Sequence, residues 1–459
     1  MLMSRKSIIM IAIGAIILLL SADHVFTQNK TRERIKEIRQ KVQKLTGRKG
    51  YKSVKDALHR ADELKILSLR NNKLKSISPE IEKFKMLEVL DLSNNRLRTL
   101  PQEIGNLPNL KKLILDNNFF EKLPGSIFKI KSLTELSFSG NLVIKVNPSI
   151  KELRNLKILR ADNNKIVHLP PAFFKLDNLY ALSLRNNYFD TFPPGFSNLK
   201  SLSMLYFNDN KISKIEIRKS SKIKTLNLSK NELDTIPPEI DLFTELKEVD
   251  LSGNEIRYLP KEFVNLKNLE KINLSNNYIR ELPENFTNLS SLKTLFLANN
   301  YKENFPLELC DLINIKELDL SHNSLKLLPD KFKQLKNLEV FSASGNQFSD
   351  FPAEIYKLNN LVQLDLSQNK ISVLSPKISN LKNLQTLNLS SNSLNKLPAE
   401  FTQLVKCKVI WLNNNQLSAL PNNFSKMKNL RIISLRNNNF TDSQKQKLRR
   451  RLTNIRISF

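Results

Sequence analysis

The sequence predicts an α/β solenoid, one elongated repeat domain whose short strands line up in a single parallel sheet. Three observations carry that reading. The pattern LxxLxLxxNxL, seen as LEVLDLSNNRL at residues 87–97, occurs seventeen times at intervals of 23 residues, with one interval of 21 between Asn210 and Asn231. A fixed period of this size marks units that cannot bury their apolar face alone and must stack. The LxL core alternates in and out, which is the period of a strand. The rest of each unit reads LPxxIxxL, where proline fixes φ and suits an extended segment or the start of a short helical turn.

Within one unit the apolar places, such as Leu87, Leu90, Leu92 and Leu97, are buried only when neighbouring copies stack. The Asn at the ninth place, from Asn72 and Asn95 through to Asn415 and Asn438, fits a turn where the strand ends. Its amide both donates and accepts, so stacked asparagines can satisfy backbone groups buried in the turn. Back segments such as Pro101 with Ile104 and Leu107, or Pro283 with Phe286 and Leu289, place apolar residues three apart against the core. Each anchor contributes roughly 1.5–3 kcal/mol against the entropy of ordering the unit. The stack then needs a cap at each end.

These motifs resemble the leucine-rich repeat family, in its 23-residue class with an LPxxIxxL back segment, over residues 64–440. The resemblance implies a horseshoe with the parallel sheet on its concave side, about 17 repeats, short helical or extended convex segments, and ligands on the concave face. A YxSxxxAL stretch at residues 51–58 and lysine-rich repeats further resemble secreted bacterial members, notably those of spirochaetes.

Taken in order, residues 1–22 read as a signal peptide or an N-terminal anchor. Arg5 and Lys6 precede an uncharged apolar run at 8–20, short for a full membrane span of about 20 residues. No cysteine follows that run, so lipidation has no acceptor there. Residues 23–50 form a basic helical linker, with Ile35, Ile38, Val42 and Leu45 at helical spacing and a net charge of +7 over 30–49. Residues 51–63 read as a helical N-terminal cap, with Ser53 and Asp56 as a weak capping box and Val54, Ala57, Leu58 and Ala61 as its apolar stripe. Residues 441–459 read as a C-terminal cap, in which Thr441 and Asp442 offer N-caps to a helix and Ile455, Ile457 and Phe459 alternate as a last strand. Leucine-rich-repeat enzymes of bacteria carry a catalytic domain after the repeats, and this segment does not fit one.

The 459-residue chain carries a formal net charge of +29, of which residues 30–49 hold +7 and residues 441–459 hold +5. That balance attracts nucleic acid, acidic glycans or anionic lipid. No groove-entering or base-stacking module accompanies it, so specific nucleic-acid binding is not expected. Cys310 and Cys407 lie more than four repeats apart, roughly 20 Å at the strand spacing, too far for a disulfide. His24, His59, His168 and His322 share no metal-ligand spacing, and TGRKG at 46–50 lacks the phosphate-loop pattern. The composition therefore predicts a protein without catalytic, cofactor or metal sites.

The outward places of the strands name the candidate ligand contacts. The middle place is mostly small or acidic, and Arg160, Tyr206, Phe296 and Trp411 depart from that rule. Tyr180 and Arg185 join them from neighbouring places, and Tyr188, Tyr278 and Tyr301 follow just past the strands. They fall into two clusters. Arg160, Tyr180, Arg185, Tyr188 and Tyr206 form the first, while Tyr278, Phe296 and Tyr301 form the second. Aromatic residues and arginine dominate binding hot spots because they bury much area at low entropy cost; cross-strand stacking is the structural alternative. The unit at 215–226 lacks the proline and two back-segment residues. Together these features predict an exported, non-catalytic protein that holds a protein or glycan partner on its concave face. Two alternatives stay open: attachment to anionic lipid, acidic glycan or nucleic acid through the basic ends, and an intracellular signalling scaffold.

Overall fold

Each LxL core is a three-residue strand whose central side chain is buried, as in Ile66–Ser68, Ala181–Ser183 and Val409–Trp411. The computed structural model describes residues 51–300 and 305–459, so the signal or anchor at 1–22, the whole linker at 23–50 and Tyr301 lie outside the described residues. Seventeen repeat strands and a last one at Arg456–Ser458 make an 18-stranded sheet. Every pairing is parallel and unshifted, so Leu67, Leu90, Leu113 and Leu136 stand in one line, and Leu364, Leu387, Ile410 and Ile433 in its continuation. These residues are buried, and they form the front wall of the core.

The repeated asparagine holds the strand ends as expected. Asn118 Nδ2 donates to the carbonyls of Leu115 in its own unit (2.9 Å) and Leu92 in the unit before (3.0 Å). Its Oδ1 accepts from Leu97 N (3.0 Å). Asn277 repeats the arrangement with Leu274, Leu251 and Ile256. One side chain thus pairs three backbone groups that the turn would bury unsatisfied. The residue just before it is left-handed, at φ 54° in Asn117, 53° in Lys230 and 51° in His322. Glycine stands there at Gly140 (φ 67°), where a Cβ would collide with the side chain of Asn117. A second asparagine ladder precedes the strands. Asn178 donates to Arg154 O (2.8 Å) and Asn337 to Ile313 O (2.9 Å), each tying one unit to the last.

The back segments are short 3-10 helices, such as Gln102–Asn106, Pro171–Lys175 and Asp330–Gln334. Proline sets the approach, and Ile104, Phe173 and Phe332 are buried against the sheet's leucines. Segments of five residues are too short to reward α-helical bonding, and the tighter turn closes them instead, with Phe173 N bonded to Pro170 O (2.9 Å).

The 21-residue unit has no such helix. Its back is extended, and Lys214–Ile215 pairs in parallel with Thr191–Phe192 as a separate two-stranded sheet. On the front the register is undisturbed, with Leu205 opposite Leu226 and Asn231 Oδ1 accepting from Ile212 N at 3.0 Å. The core here is aromatic. Phe207 meets Phe189, Phe192 and Phe196 at 4.7, 6.0 and 5.6 Å between ring centres.

Both caps take the expected form. The Ser53 hydroxyl accepts from Asp56 N (3.2 Å) at the start of the helix Val54–Ala57, whose Val54 and Ala57 are buried. At the other end Thr441 is the cap of the helix Asp442–Arg451, and its hydroxyl and backbone N–H exchange bonds with Gln444. Asp442, expected to share that role, lies inside the first turn and pairs with Lys445 (3.0 Å). Cys310 and Cys407 are free and buried, and burial pushes their thiols up to about 11 and about 12.

Candidate ligand-binding face

The straight register fixes which side chains share the front of the sheet. Arg160, Ser183, Tyr206 and Asn227 end four successive strands and face one another across the rungs. Tyr180 lies one place before its strand, with its N–H on Lys157 O and its carbonyl accepting from Ser203 N and Met204 N.

Within this group the structure departs from the sequence expectation at Tyr206. The ring was expected to face solvent, yet it is only 8% exposed. The cause is Arg185, whose guanidinium carbon lies 4.5 Å from the ring centre and covers it. Burial is also the main reason the Tyr206 hydroxyl is raised above its usual range, with Glu248 and Tyr180 adding to the shift and Arg185 and Arg160 opposing it. Tyr180 remains 49% exposed beside this pair.

Arg160 is held in place by a residue that the sequence reading passed over. Glu135, itself buried, receives Arg160 Nη1 at 2.5 Å and Lys112 Nζ at 2.8 Å through the same Oε1. Asp162 supports the other arginine, accepting from the backbone N–H of Arg185 (2.9 Å) and from the Ser183 hydroxyl. Burial raises the Asp162 carboxyl despite both hydrogen bonds, and the neighbouring arginines oppose it. Opposite charges one rung apart, Glu135 before Arg160, were the available signal for this support.

Two buried side-chain atoms among the described residues lack a hydrogen-bond partner, Arg185 Nε and Asn208 Oδ1. They belong to successive units at the same outward place. Asn208 did not stand out in the sequence because it is a small polar residue at a place that serine mostly fills.

The remaining candidates are spread out. Tyr188 and Tyr278 follow the turn asparagines, five places beyond Ser183 and Asn273, in a row separate from the strand ends. Both are exposed, and Lys211 lies 5.6 Å from the Tyr188 ring centre. Phe296 sits in the strand row, half-buried, with the Lys271 ammonium 5.5 Å from its ring centre. Tyr301, the third member of that cluster, is outside the described residues. Trp411 stands alone between Asn388 and Ser434 at 37% exposure, and two further strands follow it. The carboxylates and serines of this face are bonded to each other, as Ser321 and Ser367 are to Asp319 and Asp365. Among the described residues no group of His, Cys, Asp and Glu could hold a metal ion.

Comparison with known proteins agrees with this architecture. A model described as a leucine-rich repeat region matches residues 41–161. Models described as leucine rich repeat match 154–212, 244–301, 314–335 and 359–417. No curated protein matches the chain. Among solved structures, a leucine-rich-repeat protein of Leptospira interrogans is 36% identical, with a TM-score of 0.76, over 90% of this chain and 100% of that one. The plant peptide hormone receptor RGFR1, solved in complex with RGF2, is 25% identical with a TM-score of 0.53, over 83% of this chain and 76% of the receptor's. Drosophila Toll, solved with Spatzle, shares the fold at 22% identity and a TM-score of 0.64, over 77% of this chain and 51% of that one.

Proposed function

The chain belongs to the leucine-rich repeat family, and from that premise we propose that it is an exported, non-catalytic scaffold that binds a protein partner on the front of its sheet. The observation that carries this reading is the Arg185–Tyr206 pair, with Tyr180 exposed beside it and Arg160 fixed by Glu135. Aromatic and guanidinium groups bury much area at low entropy cost when a partner covers them. Recognition needs no covalent step, and the neighbouring serines and carboxylates already satisfy one another. The plant receptor, solved with RGF2, is a relative in which such a scaffold holds a partner. Export rests on the basic start and apolar run at 5–20.

The test uses the purified chain against a panel of secreted and surface proteins, with acidic glycans as a second panel. Tyr180→Ala should weaken a captured protein about tenfold or more, a hot-spot effect. The excess of +29 favours a second reading, attachment to polyanions. In that case binding falls steeply with salt and ignores Tyr180→Ala. Protease digestion of the repeats on intact cells tests export, and protection until lysis would end that part of the reading.

A further inference from the structure

Arg185 Nε is a donor and Asn208 Oδ1 an acceptor, and both are buried without a partner. Among the described residues every other buried side-chain nitrogen or oxygen has a hydrogen-bond partner. Three asparagine contacts close each turn, and aspartates take the serine hydroxyls beside them. A lone unpaired group is an accident of packing that a fold can tolerate. A donor and an acceptor unpaired at the same outward place of consecutive units, next to the one Arg–Tyr stack on this face among the described residues, form a complementary pair. Such groups are uncommon and call for a physical explanation.

We propose that Arg185 and Asn208 form the seat for one backbone peptide group of an extended segment laid along the front of the sheet. This rests on the sheet face being the binding surface. A peptide group is neutral and carries one strong acceptor and one strong donor. Its carbonyl accepts from Arg185 Nε–H, and its N–H donates to Asn208 Oδ1. Arg185 and Asn208 occupy the same place on neighbouring rungs, so one donor and one acceptor flank the path of a segment running between them. Ser183, two places before Arg185 and opposite Tyr206, is a small side chain beside the seat, which allows a backbone to come close. Both atoms are covered in the free protein, so the Arg185 guanidinium must shift on the Tyr206 ring to admit the segment. That shift bares the ring for the bound chain. Selectivity at this point is therefore for main chain, and side-chain specificity falls to Tyr180 and Arg160.

The experiment selects phage-displayed random dodecapeptides on the full chain, then synthesises the winners with each backbone N–H methylated in turn. One N-methylation should weaken binding to the wild type about tenfold or more, the loss expected when a buried acceptor is stranded. Asn208→Ala should weaken the unmodified peptide comparably and make it indifferent to that same methylation. Arg185→Lys, which keeps the charge and lacks Nε–H, should weaken it as well. Thermal melting of each variant checks that the fold is intact. Methylation losses that are the same on wild type and Asn208→Ala overturn the proposal, as does a selection that yields no peptide, or one that is displaced by simple methyl glycosides. Peptides sensitive to Tyr180→Ala and indifferent to Asn208→Ala remove the seat and leave the sheet-face reading standing. Indifference to both removes both.

Discussion

Glu135 and Arg160, on adjacent strands, are joined at 2.5 Å, and the same carboxylate oxygen also takes Lys112 at 2.8 Å. The carboxylate is buried, whereas the two cationic side chains keep 27% and 21% of their exposure. One anion therefore sets the position of a cation on the front of the sheet. Glu135→Ala leaves two like charges facing each other without their common partner. The full cost of breaking a buried pair is about 3–5 kcal/mol, and solvent around the two cations reduces it to about 1–3 kcal/mol. Urea unfolding measures this loss, and binding should fall with it because Arg160 is no longer held.

Asn277 is the sharpest test of the turn ladder. Its side chain bonds the carbonyls of Leu274 and Leu251 and the N–H of Ile256 at 3.0 to 3.1 Å. Asn277→Leu preserves volume and strands three buried groups, each costing about 1–3 kcal/mol. A loss of about 3 kcal/mol or more in denaturant unfolding is expected. A loss below about 1 kcal/mol would show that the ladder is not what holds the strand ends.

The aromatic core behind the 21-residue unit should be similarly sensitive. Phe207 is fully buried among Phe189, Phe192 and Phe196. Phe207→Ala is expected to cost about 3–5 kcal/mol, since the extended back segment has little freedom to collapse into the space. Differential scanning calorimetry gives the direct measure. Tyr180→Ala, by contrast, should change stability by less than about 0.5 kcal/mol, because its ring is half exposed.

The cysteines make stability fall at high pH. Burial raises both thiols from 9.0, to about 11 for Cys310 and about 12 for Cys407, so the folded state keeps the protonated form longer than the unfolded chain does. Below pH 9 both states are protonated and the full stability is present. Between pH 9 and about 11 to 12 the unfolded chain loses protons first, and stability drops by about 1.4 kcal/mol per pH unit for each thiol. A Cys310→Ala/Cys407→Ala variant should show a shallower decline between pH 9 and 11 in guanidinium titrations. Equal slopes would assign the decline to other groups.

Much of this structure was legible because a fixed repeat turns position in the sequence into position in space. The strand row from Ser68 to Ser434, the buried asparagines and the Ser53 and Thr441 caps all follow from spacing and turn chemistry. What the repeat cannot report is how a long side chain lies across its neighbour's rung. Tyr206 occupies an outward place and is nevertheless covered, because Arg185 reaches sideways from just past the preceding strand. The opposite charges of Glu135 and Arg160 stand one unit apart in the sequence, but their match joins two different outward places, which the repeat alone does not single out. The left-handed residue before each turn asparagine was hidden for another reason. Lys230, His322 and Gln368 occupy it although their side chains give no sign of that backbone.

The undisturbed register across the 21-residue unit bears on how such a chain can vary. Two residues are missing there, and the difference is absorbed entirely behind the sheet, by an extended segment paired to its neighbour. The turn asparagine, and not the length of chain between turns, acts as the ruler for the front. Gain or loss of a whole unit between, say, Asn231 and Asn392 would leave each remaining strand able to pair with its new neighbour. It would also slide Trp411 one step away from or toward Tyr206. The spacing between contact points on the face is thus adjustable in steps of one strand, so recombination between repeats can retune partner choice without a new side chain or a new fold.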